Sequence, residues 1–204
     1  PFYQIYWNEG KLNREIIKDY AEQYYQHVKA FPRYISATHS ICEDIEKRRI
    51  LLENLQDEEN KDGDHPKLWK NFAKALGANE IEIENTKLDW FTKDMIDNFF
   101  AQARKSYAEG LASLYTYERQ IPEIAETKIQ GLKKFYGVNS KEGLEFFEAH
   151  KSADVIHRAE CEKLLDSLST EEQKKAENAS LLTARYLWNF LSGMVSKHKL
   201  QIAA

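Results

Sequence analysis

Residues 150–157 read HKSADVIH, with His150, Asp154 and His157 at positions i, i+4 and i+7. On a helix turning about 100° per residue these three fall within roughly 60° of one another, so they leave one face together. A bundle interior tolerates such groups only when they have something to bind. Two further stretches offer matching chemistry. DEENKDGDH (57–65) holds Glu58 and His65 on either side of a glycine-containing break, and LYTYERQIP (114–122) places Glu118 after an aromatic run, one turn before a proline. Three carboxylates and three histidines suit two metal ions, each held by oxygen and nitrogen with positions left open. Imidazole with carboxylate suits iron or manganese, and open positions suit dioxygen. Zinc hydrolysis stays open as well, because zinc accepts the same donors.

The second chemical excess is tyrosine. Eleven are present, and Tyr3, Tyr6, Tyr20, Tyr24 and Tyr25 crowd the start of the chain. Tyrosines commonly fill helix interfaces with a polar tip at the rim. Beside an oxidising metal a phenol is also an oxidisable group. Lys128, in ETKIQGL, reads as a surface lysine unless the fold brings it to the site.

The elements that must position these groups all read as helix. Residues 12–29 follow an Asn13 cap and carry Ile16, Ile17, Tyr20, Tyr24 and Val28 at helical spacing. Phe31-Pro32 is expected to end or kink that helix, with a second portion to about residue 42. A helix over 43–60 (Ile45, Leu51, Leu52, Leu55) stops at NKDGDHP, and a shorter one over 66–76 stops at Gly77. Residues 86–119 form one long helix or two stacked ones, with Trp90, Phe91, Ile96, Phe99 and Phe100 in the core. Residues 122–136 form another, ended by Gly137. Asn139 with Glu142, and Ser169 with Glu172, read as capping boxes. The second opens a helix over 170–196 whose apolar side is Leu181, Leu182, Tyr186, Leu187 and Phe190. No repeat of 20–50 residues is present. The expectation is an all-α bundle of seven or eight helices, with residues 1–204 in a single domain.

Composition narrows the function classes. With 42% apolar and 30% charged residues among 204, and only 8 Gly and 4 Pro, the chain has a substantial core and long elements. A formal net charge of −4 with interspersed signs speaks against a nucleic-acid footprint. No apolar run reaches membrane-spanning length, and no signal-peptide pattern is present. Cys42 and Cys161 form no CxxC, so two reduced cysteines in a cytoplasmic protein are expected. The chain begins at Pro1 rather than methionine, so the visible start is expected to be a trimmed one.

FYQIYWNEGKL, YYQHVKAFPRYISATHS, LLENLQDEEN with HPKLWKNFAKALG, LASLYTYERQIPEIAETKIQGLKKFYG and HKSADVIHRAE together resemble the CADD-like branch (Chlamydia protein associating with death domains) of the haem-oxygenase-like dimetal oxidases. That group is related in fold to the thiaminase-type TenA proteins and to the pyrroloquinoline quinone synthesis protein PqqC. The likeness runs from Phe2 to about Leu165. It implies a haem-oxygenase-like helical fold and a dimetal site of Glu58, His65, Glu118, His150, Asp154 and His157, holding Fe/Fe or Fe/Mn. The implied activity is oxygen-dependent synthesis of para-aminobenzoate, a folate precursor, with dioxygen and an external reductant as co-substrates. In the implied chemistry the protein's own tyrosine becomes the aromatic ring. By motif this is the tyrosine of the Phe-Tyr pair, Tyr3, with Tyr20 as a second tyrosine of the group and Lys128 as amino donor. One residue more separates Tyr3 from Trp7 than in the relative compared, so aligning on WxxG puts Gln4 at that position with Tyr6 nearby, whereas the Phe-Tyr pair selects Tyr3. The last helix diverges, so death-domain binding does not carry over.

Three readings follow. The first is a self-sacrificing para-aminobenzoate synthase. The second is a dimetal oxidase of a diffusible amino-acid-derived or quinone-precursor substrate, with Tyr3 lining the pocket. The third is a protein-interaction module with a structural metal. No nucleic-acid or membrane partner is expected; the redox partner and homodimerisation stay open.

Overall fold

In the computed structural model, residues 2–200 are described, the side chains of residues 152–157 excepted. The described residues form an N-terminal π-helical strap (Phe2–Trp7) and nine α-helices. These are α1 (Arg14–Ser40), α2 (Ile45–Glu58), α3 (His65–Ala75), α4 (Glu80–Glu84), α5 (Trp90–Lys105), α6 (Tyr107–Glu118), α7 (Ile121–Phe135), α8 (Lys141–Asp166) and α9 (Thr170–Lys197). The all-α class stands, and the helix count exceeds the seven or eight expected. Ser106 splits 86–119 by capping α6, its hydroxyl accepting from Glu109 N. The short α4 forms where no helix was expected, on an Asn79–Glu82 capping box that packs Ile83 into the core.

Helix α1 is the central element and packs against α2, α3, α5 and α6, while α8 lies against α3, α6 and α7. Contrary to expectation, α1 runs unbroken through Pro32. Phe31, Pro32, Tyr34 and Ile35 are all buried there, and that packing outweighs the roughly 3 kcal/mol a helical proline costs. Asn13 caps α1 by accepting from Ile16 N at 2.9 Å. Gly77 (φ +95°) and Gly137 (φ +68°) follow the ends of α3 and α7, as their left-handed backbone requires. The Ser169–Glu172 box opens α9, but Ser140 rather than Asn139 caps α8, accepting from Gly143 N.

The apolar reading of the surface helices needs correction. Trp90, Ile45, Leu52, Leu181 and Leu182 are exposed. On α9 the buried stripe is Ala176, Ala179, Thr183, Phe190, Gly193 and Met194; Ala176 and Ala179 pack with Ala108 and Ala112 of α6, while Phe190 and Gly193 meet Phe91 of α5. Close helix approach selects small residues there, so the largest apolar side chains do not mark the inner face.

Candidate functional site

The turn after α2 brings its two flanking residues together. Glu58 is the last residue of α2 and His65 the first of α3, and Asp64 caps α3 by accepting from Lys67 N at 2.8 Å. His65 Nδ1 lies 2.8 Å from Glu58 Oε2, with both side chains buried. Among the described residues the buried Nδ1 has this contact with Glu58, whose angle falls short of a hydrogen bond. Burial is the largest single influence and pulls the imidazolium down, but Glu58 together with Asp57 and Asp64 outweighs it and holds His65 above its ordinary range.

Helix α8 presents His150 to the same point. Its ring centroid is 4.2 Å from that of His65, and its Nδ1 donates to Phe146 O at 2.8 Å. A carbonyl only accepts, so this bond fixes the tautomer and makes Nε2 the lone-pair nitrogen, the arrangement usual in histidine metal ligands. Donor atoms of Glu58, His65 and His150 all lie within 4.8 Å of one another, and all three residues are buried. A lone-pair nitrogen, a carboxylate and the imidazole nitrogen beside it, converging in the buried interior, fit a metal ion.

Glu118, the last residue of α6, is buried beside this group. Asn54 Nδ2 donates to its Oε1 at 2.7 Å, and Cys161 Sγ approaches its Oε2 at 3.8 Å. Burial, and then the Glu58 charge, push its carboxyl up to about 8, against the bonds from Asn54 and Cys161. Asp154 and His157 lie outside the described side chains. Asn54 escaped the sequence reading, although it stands one turn before Glu58 on the same face of α2; a polar residue at i−4 of a candidate ligand was the available signal.

A second group sits deeper. Lys128, expected at the surface, is 4% exposed. Its Nζ donates to Tyr20 Oη at 2.8 Å, and Tyr20 Oη shares a 2.9 Å hydrogen bond with Tyr3 Oη. The amine also stands 4.6 Å from the Tyr3 ring centroid, with Tyr20, Tyr24, Phe147 and Trp69 rings between 5.3 and 5.8 Å. Burial lowers its pKa to about 7, while the ring faces favour the ammonium and oppose that shift. Burial holds the Tyr3 and Tyr20 phenols well above their usual range, so both stay protonated. Tyr6 is buried too, but its hydroxyl has no hydrogen-bond partner among the described residues.

The strap that carries Tyr3 is pinned to α7. Its turn closes with i→i+5 bonds, Asn8 N to Tyr3 O at 2.9 Å and Lys11 N to Tyr6 O at 2.8 Å. Tyr136 Oη donates to Trp7 O at 3.0 Å. The Trp7 indole fills the notch left by Gly131, where an added Cβ would sit 2.7 Å from its Cδ1. Lys128 and His150 line one small cavity, together with Tyr24 and Trp69. The amine therefore stands between the Tyr3 phenol and the carboxylate–imidazole group.

Known proteins resemble this chain along most of its length. The family model described as iron-containing redox enzyme matches residues 18–188. A protein named 4-aminobenzoate synthase from Chlamydia pneumoniae is 41% identical over 197 residues, covering 96% of this chain and 87% of that protein. One of the same name from Nitrosomonas europaea is 38% identical over 206 residues, covering 95% and 83%. Among solved structures, a TenA homologue from Pseudomonas syringae pv. tomato superposes with a TM-score of 0.81 at 17% identity, covering 96% of this chain and 84% of that one. At that identity the last likeness speaks for the fold alone.

Proposed function

Since the chain belongs to the iron-containing redox enzymes of the haem-oxygenase-like fold, we propose that it is an oxygen-dependent 4-aminobenzoate synthase, with its own Tyr3 as the aromatic source and Lys128 as the amino donor. The observation that carries this reading is the buried chain Lys128 Nζ–Tyr20 Oη–Tyr3 Oη, at 2.8 and 2.9 Å. Turning a tyrosine side chain into 4-aminobenzoate requires cleavage at Cβ, oxidation of that carbon to a carboxylate, and exchange of the phenolic oxygen for nitrogen. The exchange needs an amine at the phenol end of the ring. Lys128 supplies one, close to half unprotonated near neutral pH. As the ring C–N bond replaces the ring C–O bond, an oxygen leaves as water, the Cε–Nζ bond breaks and Cε is oxidised to an aldehyde with dioxygen as the oxidant.

Two metal ions, Fe/Fe or Fe/Mn, would be held by Glu58, His65, Glu118, His150, Asp154 and His157. When bound they supply activation of dioxygen with electrons from an external reductant. Asn54 orients Glu118, and Phe146 O fixes the His150 tautomer. Tyr20 relays a proton between the Lys128 amine and the Tyr3 phenol through its single hydroxyl. The aromatic rings around Lys128 limit its contact with water, which lowers its basicity toward neutral pH.

An internal tyrosine needs no pocket and is present at high effective concentration, but each chain reacts once. Iron-loaded protein expressed with ring-labelled tyrosine and reacted in unlabelled medium is expected to yield labelled 4-aminobenzoate, up to one equivalent per chain. Unlabelled product, or many turnovers per chain, refutes the internal source and favours a diffusible substrate.

A further inference from the structure

Three cavities follow one another from the surface to His150, and each shares walls with the next. The outer one, about 700 Å³, opens between the strap, α7 and α9 beside Trp188, which is 59% exposed. The middle one, about 200 Å³, lies against Lys128 and shares Tyr3, Gln120, Ile124, Trp188 and Leu191 with the outer. The inner one, about 10 Å³, reaches His150 and shares Tyr24, Ile121, Ile124 and Lys128 with the middle.

The volumes set what can pass. The outer cavity falls in the range that holds an organic molecule of drug size. The inner one has room for about one water-sized particle. Its walls are chiefly aromatic and aliphatic, which disfavours an ion or a hydrated polar solute and suits a small apolar gas. Ile124, one turn before Lys128 on the same face of α7, lines all three cavities.

We propose that the three cavities form one size-graded route that carries dioxygen to the His65–His150 end of the site, with Ile124 setting its bore. Anything as large as an aromatic ring halts in the middle chamber, beside Tyr3 and Lys128. The proposal rests on the oxidative reading given above and adds the path and its gate. It also separates the two ends of the chemistry: the metal end receives gas, and the tyrosine–lysine end opens toward the wide chamber through which an aromatic product can leave.

The test has one readout that needs no turnover. Under xenon pressure, xenon is expected to occupy the middle chamber of the parent protein, seen by crystallography or xenon NMR, and to be lost from it in Ile124→Trp. In the second readout the reduced, iron-loaded protein is mixed with dioxygen-saturated buffer and its reoxidation followed optically. Ile124→Trp is expected to slow reoxidation by about tenfold or more at unchanged iron content, and Ile124→Ala to speed it. Leu191→Trp, on α9 across the same chamber, is expected to act like Ile124→Trp, so a misfolded single variant does not decide the outcome. Reoxidation of both folded Trp variants at the parent rate, or xenon retained in their middle chamber, overturns the route. Slowed reoxidation in proteins that make no 4-aminobenzoate, the parent included, leaves the route standing and removes the synthase reading instead.

Discussion

Lys128 Nζ donates to Tyr20 Oη at 2.8 Å inside a cage of aromatic rings, 108 residues apart in sequence. An amine so enclosed is depressed by burial to about 7, and the sign of its pH dependence follows. In the unfolded chain the lysine keeps its proton to near its ordinary 10.5. Between about 7 and 10.5 the unfolded state therefore binds more protons, and stability rises with pH across that window. Titration of ¹⁵N-labelled lysine by NMR is expected to show one amine with a midpoint near 7. Product formation is expected to rise with pH through the same midpoint. Lys128→Met is expected to raise the melting temperature and abolish product. Lys128→Arg also abolishes it, because a guanidinium does not release its proton. A Lys128 midpoint near 10 excludes the neutral-amine role.

Tyr3→Phe removes one oxygen and with it the hydrogen bond to Tyr20. No 4-aminobenzoate is expected from it, while helicity and iron content stay at parent values. Tyr6→Phe deletes a hydroxyl that has no hydrogen-bond partner among the described residues, so full yield and equal or slightly higher stability are expected. Mass spectrometry of product and recovered protein distinguishes the two variants. Equal yields would move the aromatic source elsewhere.

Glu58→Ala, His65→Ala and His150→Ala each delete one of the converging donors, and each is expected to lower bound iron and abolish dioxygen consumption. Asn54→Leu leaves every donor in place but frees the Glu118 carboxylate it holds at 2.7 Å. A loss of about 10- to 100-fold in metal affinity is expected, as for other partners that orient a ligand. Elemental analysis and metal titration check both. Removal of the metal by a chelator is expected to leave the circular dichroism nearly unchanged, because apolar burial across the helices supplies most of the stability.

Gly131→Ala puts a methyl group 2.7 Å from Cδ1 and Nε1 of Trp7, closer than packed atoms tolerate. The strap has to shift, at a cost of about 1–3 kcal/mol. Lys128, now covered by the strap, is expected to become accessible to an amine-acylating reagent, mapped by peptide mass spectrometry. Labelling unchanged from the parent would show that the strap does not shield the amine.

His27 is fully buried among Tyr24, Phe31, Tyr34, Phe99 and Tyr117. Burial lowers its pKa to about 3 from the ordinary 6.5. Between those values the unfolded chain takes up a proton that the folded one refuses, so stability falls as pH drops through the window, by roughly 5 kcal/mol in full. His27→Phe is expected to flatten that slope. Urea unfolding at several pH values between 3 and 7 measures it, and an unchanged slope in the variant would assign acid lability to other groups.

Helical periodicity, the Asn13 cap, the Gly77 and Gly137 stops and the Ser169–Glu172 box were all legible in the sequence, because each rests on contacts within a turn or two of backbone. The donor types at Glu58, His65, Glu118 and His150 were legible as carboxylates and imidazoles at helix ends or at spacings that share a helix face. What no local pattern contained was distance between elements. Lys128 reads as a surface residue in ETKIQGL, and it is buried because the strap folds back over α7, with Trp7 in the Gly131 notch. Pro32 reads as a break, and α1 continues because its neighbours bury both sides of it. Leu181 and Leu182 read as core, whereas α9 turns its alanines inward to approach α6 closely. The sequence by itself determined which chemical groups the protein owns and that helices would carry them. Only the tertiary structure decided which of them meet, because burial, charge and amine basicity depend on neighbours far away along the chain, 108 residues in the case of Lys128 and Tyr20.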